Sequence, residues 1–306
     1  MEFKMKQFPK NSRVCFVGDS ITHRSIFSKH IVAYYREHFS ELSIEFYNCG
    51  IAGGYLSNTI RIFDEDVAIY DPTHIVLMIG VNDSRRDLLS RPSTEERYEK
   101  LYEAYEKYKK NMECFYQLTS ERGIELILCT PAPYAEYQKT DEFPPLPGGY
   151  ALIGGYADFV RSFAREHGLA LCDYHKAMTR AMQTEILFDP DRVHPTQNGH
   201  AVMAKEFLSM LGIDYEPLKT FSDDIEEWYD VTQKLRNIIT TEFLMIPGYA
   251  NMNDDERSAK ISEYYENMKN GSYAPGPYFE RLVLAYVKDK PRRSEYVDFV
   301  KKFMKR

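Results

Sequence analysis

The chain has 306 residues, of which 43% are hydrophobic and 28% charged, and its formal net charge is −7. A chain of this length and apolar content can bury a sizeable core, which excludes a wholly disordered protein. The acidic balance, without a long basic stripe, excludes nucleic acid as the expected main partner.

Five short apolar segments, each bounded by Gly, Pro, Asn or Asp, have the length and composition of buried β-strands. They are residues 14–17, 44–47, 75–79, 124–129 and 169–172. Segments with helical periodicity separate them. The longest runs from about residue 94 to 122, and Ser93 with Glu96 three positions on has the spacing of a capping box. Alternating strands and helices predict an α/β fold whose parallel sheet is covered on both faces.

Small and polar residues follow these strands, at the sheet edge where ligands bind in such folds. The sequence is GDS at 18–20, NCGIAGG at 48–54 and GVND at 80–83. A Pro/Gly-rich stretch at 143–155 follows the fourth strand and predicts a long loop of the kind that often borders a ligand. After the fifth strand, FDPDRVHP at 188–195 precedes a helix predicted at about 198–211.

The character of the chain changes at about residue 214, beyond which the patterns are helical. These patterns lie at 225–243, 256–268, 278–287 and 295–304. We therefore predict a core domain at residues 1–213 and a helical C-terminal extension at 214–306. Its role stays open between covering an apolar face of the core, forming a homo-oligomer contact and walling a substrate cleft.

Ester hydrolysis requires a nucleophile, a base that activates it and a group that orients the base. Ser20 follows the first strand directly, although a Gly-Asp-Ser turn is also an ordinary helix start. Asp191 precedes His194 by three positions, which lets a carboxylate reach the imidazole and fix its tautomer. A solvated loop with a surface histidine is the other interpretation of this pair. Asp189 is a rival carboxylate.

The oxyanion of an ester transition state needs hydrogen-bond donors. Gly53 offers a backbone N–H that no side chain obstructs, and Asn82 offers a side-chain amide. Both residue types are also common in turns, so neither position is decisive alone.

Together these segments resemble the four sequence blocks of the SGNH (GDSL-type) hydrolase family, in the family's order. The matching segments are GDS at 18–20, N-x-x-x-x-G at 48–53, G-x-N-D at 80–83 and D-x-x-H at 191–194. The resemblance implies a flavodoxin-like three-layer α/β/α sandwich, an acyl-ester substrate, and neither a metal nor an organic cofactor. It makes residues 1–213 the SGNH hydrolase domain.

The resemblance also implies a role for each matching residue. Ser20 would be the nucleophile, His194 the base and then the acid, and Asp191 the group that orients His194. The oxyanion hole would comprise the Ser20 N–H, the Gly53 N–H and the Asn82 amide. Three further residues, Asp19, Tyr55 and Tyr134, are expected to line the substrate, although Asp19 also suits a role in supporting the turn.

The function expected from this resemblance is a serine esterase that removes a small acyl group, acetyl above all, from a carbohydrate or similar polar alcohol. A thioesterase, lysophospholipase or acyltransferase with the same triad is one alternative. A non-catalytic ligand-binding protein on this fold is another.

The expected location is the cytoplasm, without a membrane partner. The N-terminal residues lack the apolar run of a signal peptide, and no segment has the roughly 18 apolar residues of a membrane span. Five scattered cysteines form no CxxC pair. This pattern indicates neither a zinc site nor a disulfide framework and fits a reducing compartment.

Overall fold

The computed structural model describes residues 7–237, and five parallel strands form its centre. The strands are β1 Arg13–Gly18, β2 Glu45–Gly50, β3 His74–Met78, β4 Glu125–Cys129 and β5 Ala170–Cys172. The α-helices are α1 Ser20–His23, α2 Ile26–His38, α3 Leu56–Arg61, α4 Phe63–Asp66, α5 Glu95–Glu121, α6 Gly149–His167, α7 Tyr174–Ala181, α8 Gln197–Met210 and α9 Asp223–Asn237.

The strand order across the sheet is β2-β1-β3-β4-β5, and every neighbouring pair is parallel. This is the flavodoxin-like order, which places β1 between β2 and β3. Gly18 at the end of β1 pairs with Gly50 of β2 and Met78 of β3. The three strands that precede the first three sequence blocks therefore end side by side, and the predicted fold class is confirmed.

Helices cover the sheet because its strands are apolar on both faces. Phe16 of β1 has its ring 5.7 Å from that of Phe27 in α2 and 6.2 Å from that of Phe207 in α8. Elsewhere α5 packs on α6, where the Tyr108 and Tyr156 rings lie 4.8 Å apart. These ring contacts fix the helices that flank the site.

Two local predictions are wrong. The N-cap of α5 is Thr94, whose hydroxyl accepts the Arg97 N–H at 3.2 Å, whereas the predicted cap was Ser93. The stretch 143–155 is a loop only as far as Gly148, because α6 begins at Gly149. Buried apolar side chains of α6 recur at helical spacing from Ile153 onward, and their packing outweighs the low helix propensity of its glycines.

The predicted C-terminal extension, residues 214–306, falls mostly outside the described residues. Its first helical pattern, predicted from residue 225, corresponds to α9, which begins at Asp223. The patterns at 256–268, 278–287 and 295–304, and the proposed oligomer contact, lie outside the described residues. The domain boundary at residue 213 stays a prediction.

Within residues 7–237, none of the helices combines the length and apolarity that crossing a bilayer requires.

Candidate active site

The first sequence block forms a tight turn at the end of β1. Asp19 is the N-cap of α1, and its carboxylate accepts the backbone N–H of Ile21 at 3.0 Å. Ser20 is the first residue of this short helix. The turn therefore has the ordinary helix-start geometry and also leaves the Ser20 hydroxyl at the carboxyl edge of the sheet.

The structure brings Ser20 and His194 together across 174 positions of sequence. The Ser20 Oγ lies 2.8 Å from Nε2 of His194, and both side chains are only partly buried. The histidine lies in a narrow loop between α7 and α8. An antiparallel bridge between Phe188 and Pro195 closes this loop. The loop is thereby fixed in place while the imidazole stays accessible from solvent.

Asp191 contacts His194 through both carboxylate oxygens. Oδ2 lies 2.5 Å from the imidazole Nδ1, and Oδ1 accepts the backbone N–H groups of Val193 and His194 at 2.9 and 3.0 Å. An ionised carboxylate can only accept hydrogen bonds, so Nδ1 carries the hydrogen and Nε2 presents its lone pair to Ser20. The three-residue spacing allows both contacts from a single turn.

The environment of Asp191 keeps it charged. Partial burial opposes ionisation, but the hydrogen bonds from the His194 ring, the His194 N–H and the Val193 N–H outweigh that effect, and they hold the pKa of the carboxyl below its usual value. The rival carboxylate, Asp189, is engaged elsewhere, since Arg24 donates to its Oδ2 at 2.9 Å.

The expected oxyanion donors lie on adjoining loops. Gly53 is exposed, with a φ of +69° that favours glycine. The Asn82 amide donates one hydrogen bond to the Gly54 carbonyl at 3.0 Å, and Arg86 donates to its Oδ1 at 3.4 Å. These two contacts orient the amide, and one of its two N–H groups remains for a substrate oxygen.

Asp83 braces the same pair of loops. Its carboxylate accepts the Leu56 N–H, and it is 7% exposed. Burial raises the pKa of Asp83 to about 7, against the opposing effect of the Leu56 hydrogen bond and with a further increase from the nearby Asp19 charge. Burial likewise raises the pKa of Asp19 to about 6, although the Ile21 hydrogen bond and the positive charge of His194 in its protonated form oppose it.

Two of the three expected substrate-lining residues are placed differently. Asp19 is 1% exposed and supports the nucleophile turn by accepting the Ile21 N–H, the alternative role expected from the sequence. Tyr134 is 4% exposed, packs against Val81 and Ile153, and accepts the Leu146 N–H through its hydroxyl. An aromatic ring in a loop sequence is compatible with either position, and only the packing of α6 shows that Tyr134 belongs to the interior.

Tyr55 keeps an accessible position. It is 38% exposed and lines a cavity of about 490 Å³ together with Asp83, Arg85, Lys107 and Asn111. Tyr55 and Asp83 follow the Gly53–Gly54 turn and Asn82 in sequence, so this cavity adjoins the loops that carry the expected oxyanion donors. Most of its lining residues are polar or charged, although the larger part of the lining surface is apolar.

Two arginines that were not predicted as site residues belong to, or contact, the loop of residues 188–195 that carries His194, here called the catalytic loop. Arg24 follows α1 and pairs with Asp189, as described above. Arg192 lies between Asp191 and His194 and is 3% exposed. An arginine in a polar, Pro-flanked loop is normally solvated, so its burial was not predictable from the local sequence.

The arrangement is suited to acyl transfer. A serine hydroxyl contacts an imidazole that a carboxylate orients, and the expected oxyanion donors lie after β2 and β3, the two strands that neighbour β1. In the described part of the chain, no group of three or more His, Cys, Asp or Glu side chains is arranged to hold a metal ion.

Comparison with known proteins agrees with this geometry. A model of the GDSL-like lipase/acylhydrolase family matches residues 16–202, which contain all four sequence blocks. The chain belongs to this family. Its membership identifies the protein as a carboxylic-ester hydrolase and a serine esterase, in agreement with the Ser20–His194 contact.

Individual proteins that are similar to this chain have low sequence identity to it. An acetylxylan esterase of Geobacillus stearothermophilus is 25% identical over 220 residues, which cover 66% of this chain and 95% of the relative. The crystal structure of an acetylxylan esterase from that organism has a TM-score of 0.56 at 24% identity, over 69% of this chain and 98% of its own. Solved variants of it with a serine, an aspartate or a histidine replaced by alanine are described as catalytic mutants.

A gut microbial diltiazem-metabolizing enzyme has a TM-score of 0.62 at 24% identity. The match covers 68% of this esterase, which spans only 48% of that enzyme. At these identities, the structural likenesses establish the shared fold.

Proposed function

We propose that this esterase hydrolyses small acyl esters, acetyl above all, of a carbohydrate or similar polar alcohol through a Ser20–His194–Asp191 triad. The single observation that carries the proposal is the continuous chain of contacts from Ser20 Oγ to His194 Nε2 and from His194 Nδ1 to Asp191 Oδ2, at 2.8 and 2.5 Å. A nucleophile, a base and an orienting carboxylate stand in the order that the chemistry requires.

The reaction proceeds in two halves. Ser20 Oγ attacks the ester carbonyl while its proton passes to Nε2 of His194, and the imidazolium that forms is stabilised by Asp191. His194 then gives this proton to the alcohol oxygen as the bond to the alcohol breaks, which leaves Ser20 acylated. In the second half, a water gives its proton to Nε2 and attacks the acyl carbon, and the proton returns to Ser20 as the carboxylic acid leaves.

The negative charge that develops on the carbonyl oxygen needs donors already in position. The proposal assigns this role to the backbone N–H groups of Ser20 and Gly53 and to the Asn82 amide. Support comes from the contacts of Asn82 with Gly54 and Arg86, which orient the amide before the substrate arrives. A preorganised donor costs no rearrangement at the moment of reaction.

Three features support a polar, sugar-like alcohol. The curated relative acts on acetylxylan by its name, and the alignment spans 95% of it. Exposed aromatic rings suited to stacking on a sugar occur at Tyr55, Tyr137 and Phe143, which are 38%, 81% and 51% exposed. The cavity beside Tyr55 and Asp83 is lined by side chains such as Ser57, Arg85 and Asn111, which can exchange hydrogen bonds with the hydroxyl groups of a polyol.

The decisive experiment compares wild type with Ser20→Ala on p-nitrophenyl acetate, on an acetylated xylooligosaccharide, on p-nitrophenyl decanoate and on an acetyl thioester. Ser20→Ala should lose about 10³-fold or more in kcat on every ester that wild type hydrolyses. Ser120→Ala, at an exposed site near the end of α5, is the matched control and should retain full activity.

The results separate the mechanism from the substrate class. Undiminished hydrolysis by Ser20→Ala would refute the triad. A higher kcat/KM for the decanoyl ester or the thioester than for the acetylated sugar would refute the substrate class and favour a lysophospholipase or thioesterase. Transfer of the acetyl group to an added alcohol faster than to water would instead identify an acyltransferase. A cytoplasmic location stays a prediction of the sequence.

A further inference from the structure

Arg192 follows Asp191 directly and precedes His194 by two positions. Its side chain is enclosed by another loop, the segment 135–143. The residue is 3% exposed, and its guanidinium donates to five backbone carbonyls of the segment 135–143. The acceptors are the carbonyls of Ala135 at 3.3 Å, Glu136 at 3.3 Å, Gln138, Thr140 at 3.4 Å and Phe143 at 3.2 and 3.0 Å.

The chemistry of the guanidinium explains why this residue can be buried. A buried cation needs its N–H groups satisfied, and arginine has five of them in a planar fork. Lysine has three donors around one nitrogen and cannot reach carbonyls distributed along nine residues of chain. The segment 135–143 has no secondary structure of its own, so these contacts, together with its few backbone hydrogen bonds, determine its course.

A backbone hydrogen bond and the side-chain amide of Gln138 tie the same two segments together. The Arg192 carbonyl accepts the Ala135 N–H at 2.9 Å, and the Gln138 amide donates to the carbonyls of Phe188 and Asp189 at 2.9 and 3.3 Å. Segment 135–143 is therefore attached to the catalytic loop at Phe188, Asp189 and Arg192, and Arg192 makes most of these hydrogen bonds.

The backbone of Arg192 is in the left-handed region, with φ at +66°. This conformation is unfavourable for a residue with a side chain and needs support from the surrounding structure. It belongs to the turn in which Oδ1 of Asp191 accepts the N–H groups of Val193 and His194. The geometry that joins Asp191 to His194 thus depends on a strained residue whose side chain is anchored elsewhere.

From this arrangement we propose that Arg192 is a positioning residue of the esterase: its contacts with segment 135–143 hold the Asp191–His194 turn so that the imidazole faces Ser20. This inference rests on the triad proposed above. It predicts that loss of the guanidinium lowers the rate of proton transfer for any ester, without a preference for one alcohol.

The test compares wild type with Arg192→Ala on p-nitrophenyl acetate and on an acetylated xylooligosaccharide, with and without added guanidinium chloride at non-denaturing concentration. We expect kcat to fall about 10- to 100-fold on both substrates with KM nearly unchanged, because small displacements of a catalytic group have effects of this size. Guanidinium should restore part of kcat by filling the vacated space. Arg192→Lys should resemble Arg192→Ala, because the ammonium lacks the fork.

Arg161 provides a matched control outside the catalytic loop. Its guanidinium is partly buried, and its Nε and Nη2 donate to the two carboxylate oxygens of Asp173, each at 2.8 Å. Arg161→Ala should lower the melting temperature and leave kcat as in wild type, with no response to guanidinium. The two arginine variants then separate loss of stability from loss of positioning.

A spectroscopic measurement reports on the turn itself. The proton between His194 Nδ1 and Asp191 should give a strongly downfield ¹H NMR signal in wild type and in Arg161→Ala. In Arg192→Ala, the signal should weaken or vanish and then return with guanidinium. If Arg192→Ala is insoluble, Arg192→Lys decides by the same two readouts, kcat and the downfield proton.

The outcomes distinguish this inference from the proposed function. If Ser20→Ala is inactive while Arg192→Ala and Arg192→Lys retain wild-type kcat and the downfield signal, the triad stands and the positioning role is refuted. A rise in KM confined to the sugar ester would also refute it and assign segment 135–143 to substrate binding. An active Ser20→Ala would refute the triad itself.

Discussion

Both carboxylate oxygens of Asp83 lie within hydrogen-bonding distance of the backbone nitrogen of Leu56, at 3.1 and 3.3 Å. A buried carboxylate thus joins the loop after β3 to the first residue of α3, close to the Gly53–Gly54 turn. Its burial has a consequence for stability, because the folded protein holds the proton of Asp83 more tightly than the unfolded chain does.

The pKa of Asp83 is about 7 in the folded protein, against 3.8 for the ordinary carboxyl. Between these values the folded state binds more protons than the unfolded state, so the free energy of unfolding falls as pH rises from about 4 to 7. Asp83→Asn keeps an acceptor for Leu56 and removes the titration. Over this range, we expect the free energy of unfolding to fall by about 2 to 4 kcal/mol less in the variant than in wild type.

Urea unfolding at pH 4.5 and at pH 7.5 measures this difference. Asp71→Asn, at an exposed carboxylate, is a suitable control and should follow wild type. Equal pH dependence in wild type and Asp83→Asn would show that Asp83 ionises normally in the folded protein.

Asp191→Asn tests the orienting carboxylate with little change in the turn. The amide oxygen can replace Oδ1 as acceptor for the N–H groups of Val193 and His194, while the amide nitrogen replaces Oδ2 opposite Nδ1. The imidazole then takes the wrong tautomer, and kcat should fall by about 10³- to 10⁴-fold. Steady-state kinetics on p-nitrophenyl acetate, with a melting curve to show that the fold persists, would check this. A loss below tenfold would contradict the role.

Asn82→Ala removes a proposed oxyanion donor. Since the donor acts on charge that develops only in the transition state, kcat should fall about 10²- to 10³-fold while KM changes little. Gln117→Ala is a control for the loss of a side-chain amide away from the site, because Gln117 is exposed on α5 and donates to Glu113 at 3.1 Å. If KM rises and kcat is unaltered, Asn82 binds the ground state and is no oxyanion donor.

Gly50 lies directly under the nucleophile helix. A Cβ at this position would stand 2.2 Å from the backbone nitrogen of His23, in the helix that begins with Ser20. Gly50→Ala should therefore displace α1, destabilise the protein by about 3 kcal/mol and reduce activity.

At Gly155, within α6, a Cβ would meet nothing within 4 Å. Gly155→Ala should stabilise the protein by about 0.5 to 1 kcal/mol. Similar melting temperatures for the two variants would contradict this account.

The strands were predictable because each is a short apolar run that must be buried on both faces. The end of β2 was predicted at Tyr47, but the strand continues to Gly50 because its pairing with β1 extends as far as Gly18. Asn48 and Gly50 have poor strand propensity, and only the neighbouring strand shows that they belong to the ladder.

The residues of the candidate site also differ in how far the sequence could predict them. The contact between Ser20 and His194 could be anticipated only from the resemblance of the four blocks to a known family, because each segment alone also suits an ordinary turn or loop. Tyr134 and Arg192 were not predictable, since their positions depend on how segment 135–148 folds over the catalytic loop. Arginine in such a loop is commonly solvated, and here five backbone carbonyls replace the water.

The separation of 174 positions between Ser20 and His194 has a consequence for protein synthesis. The nucleophile is translated directly after β1, and the base is translated only after all five strands of the sheet. Any nascent chain or proteolytic fragment that stops short of the catalytic histidine carries the serine without a partner to activate it. Premature termination products are therefore expected to be harmless to acylated molecules in the cell.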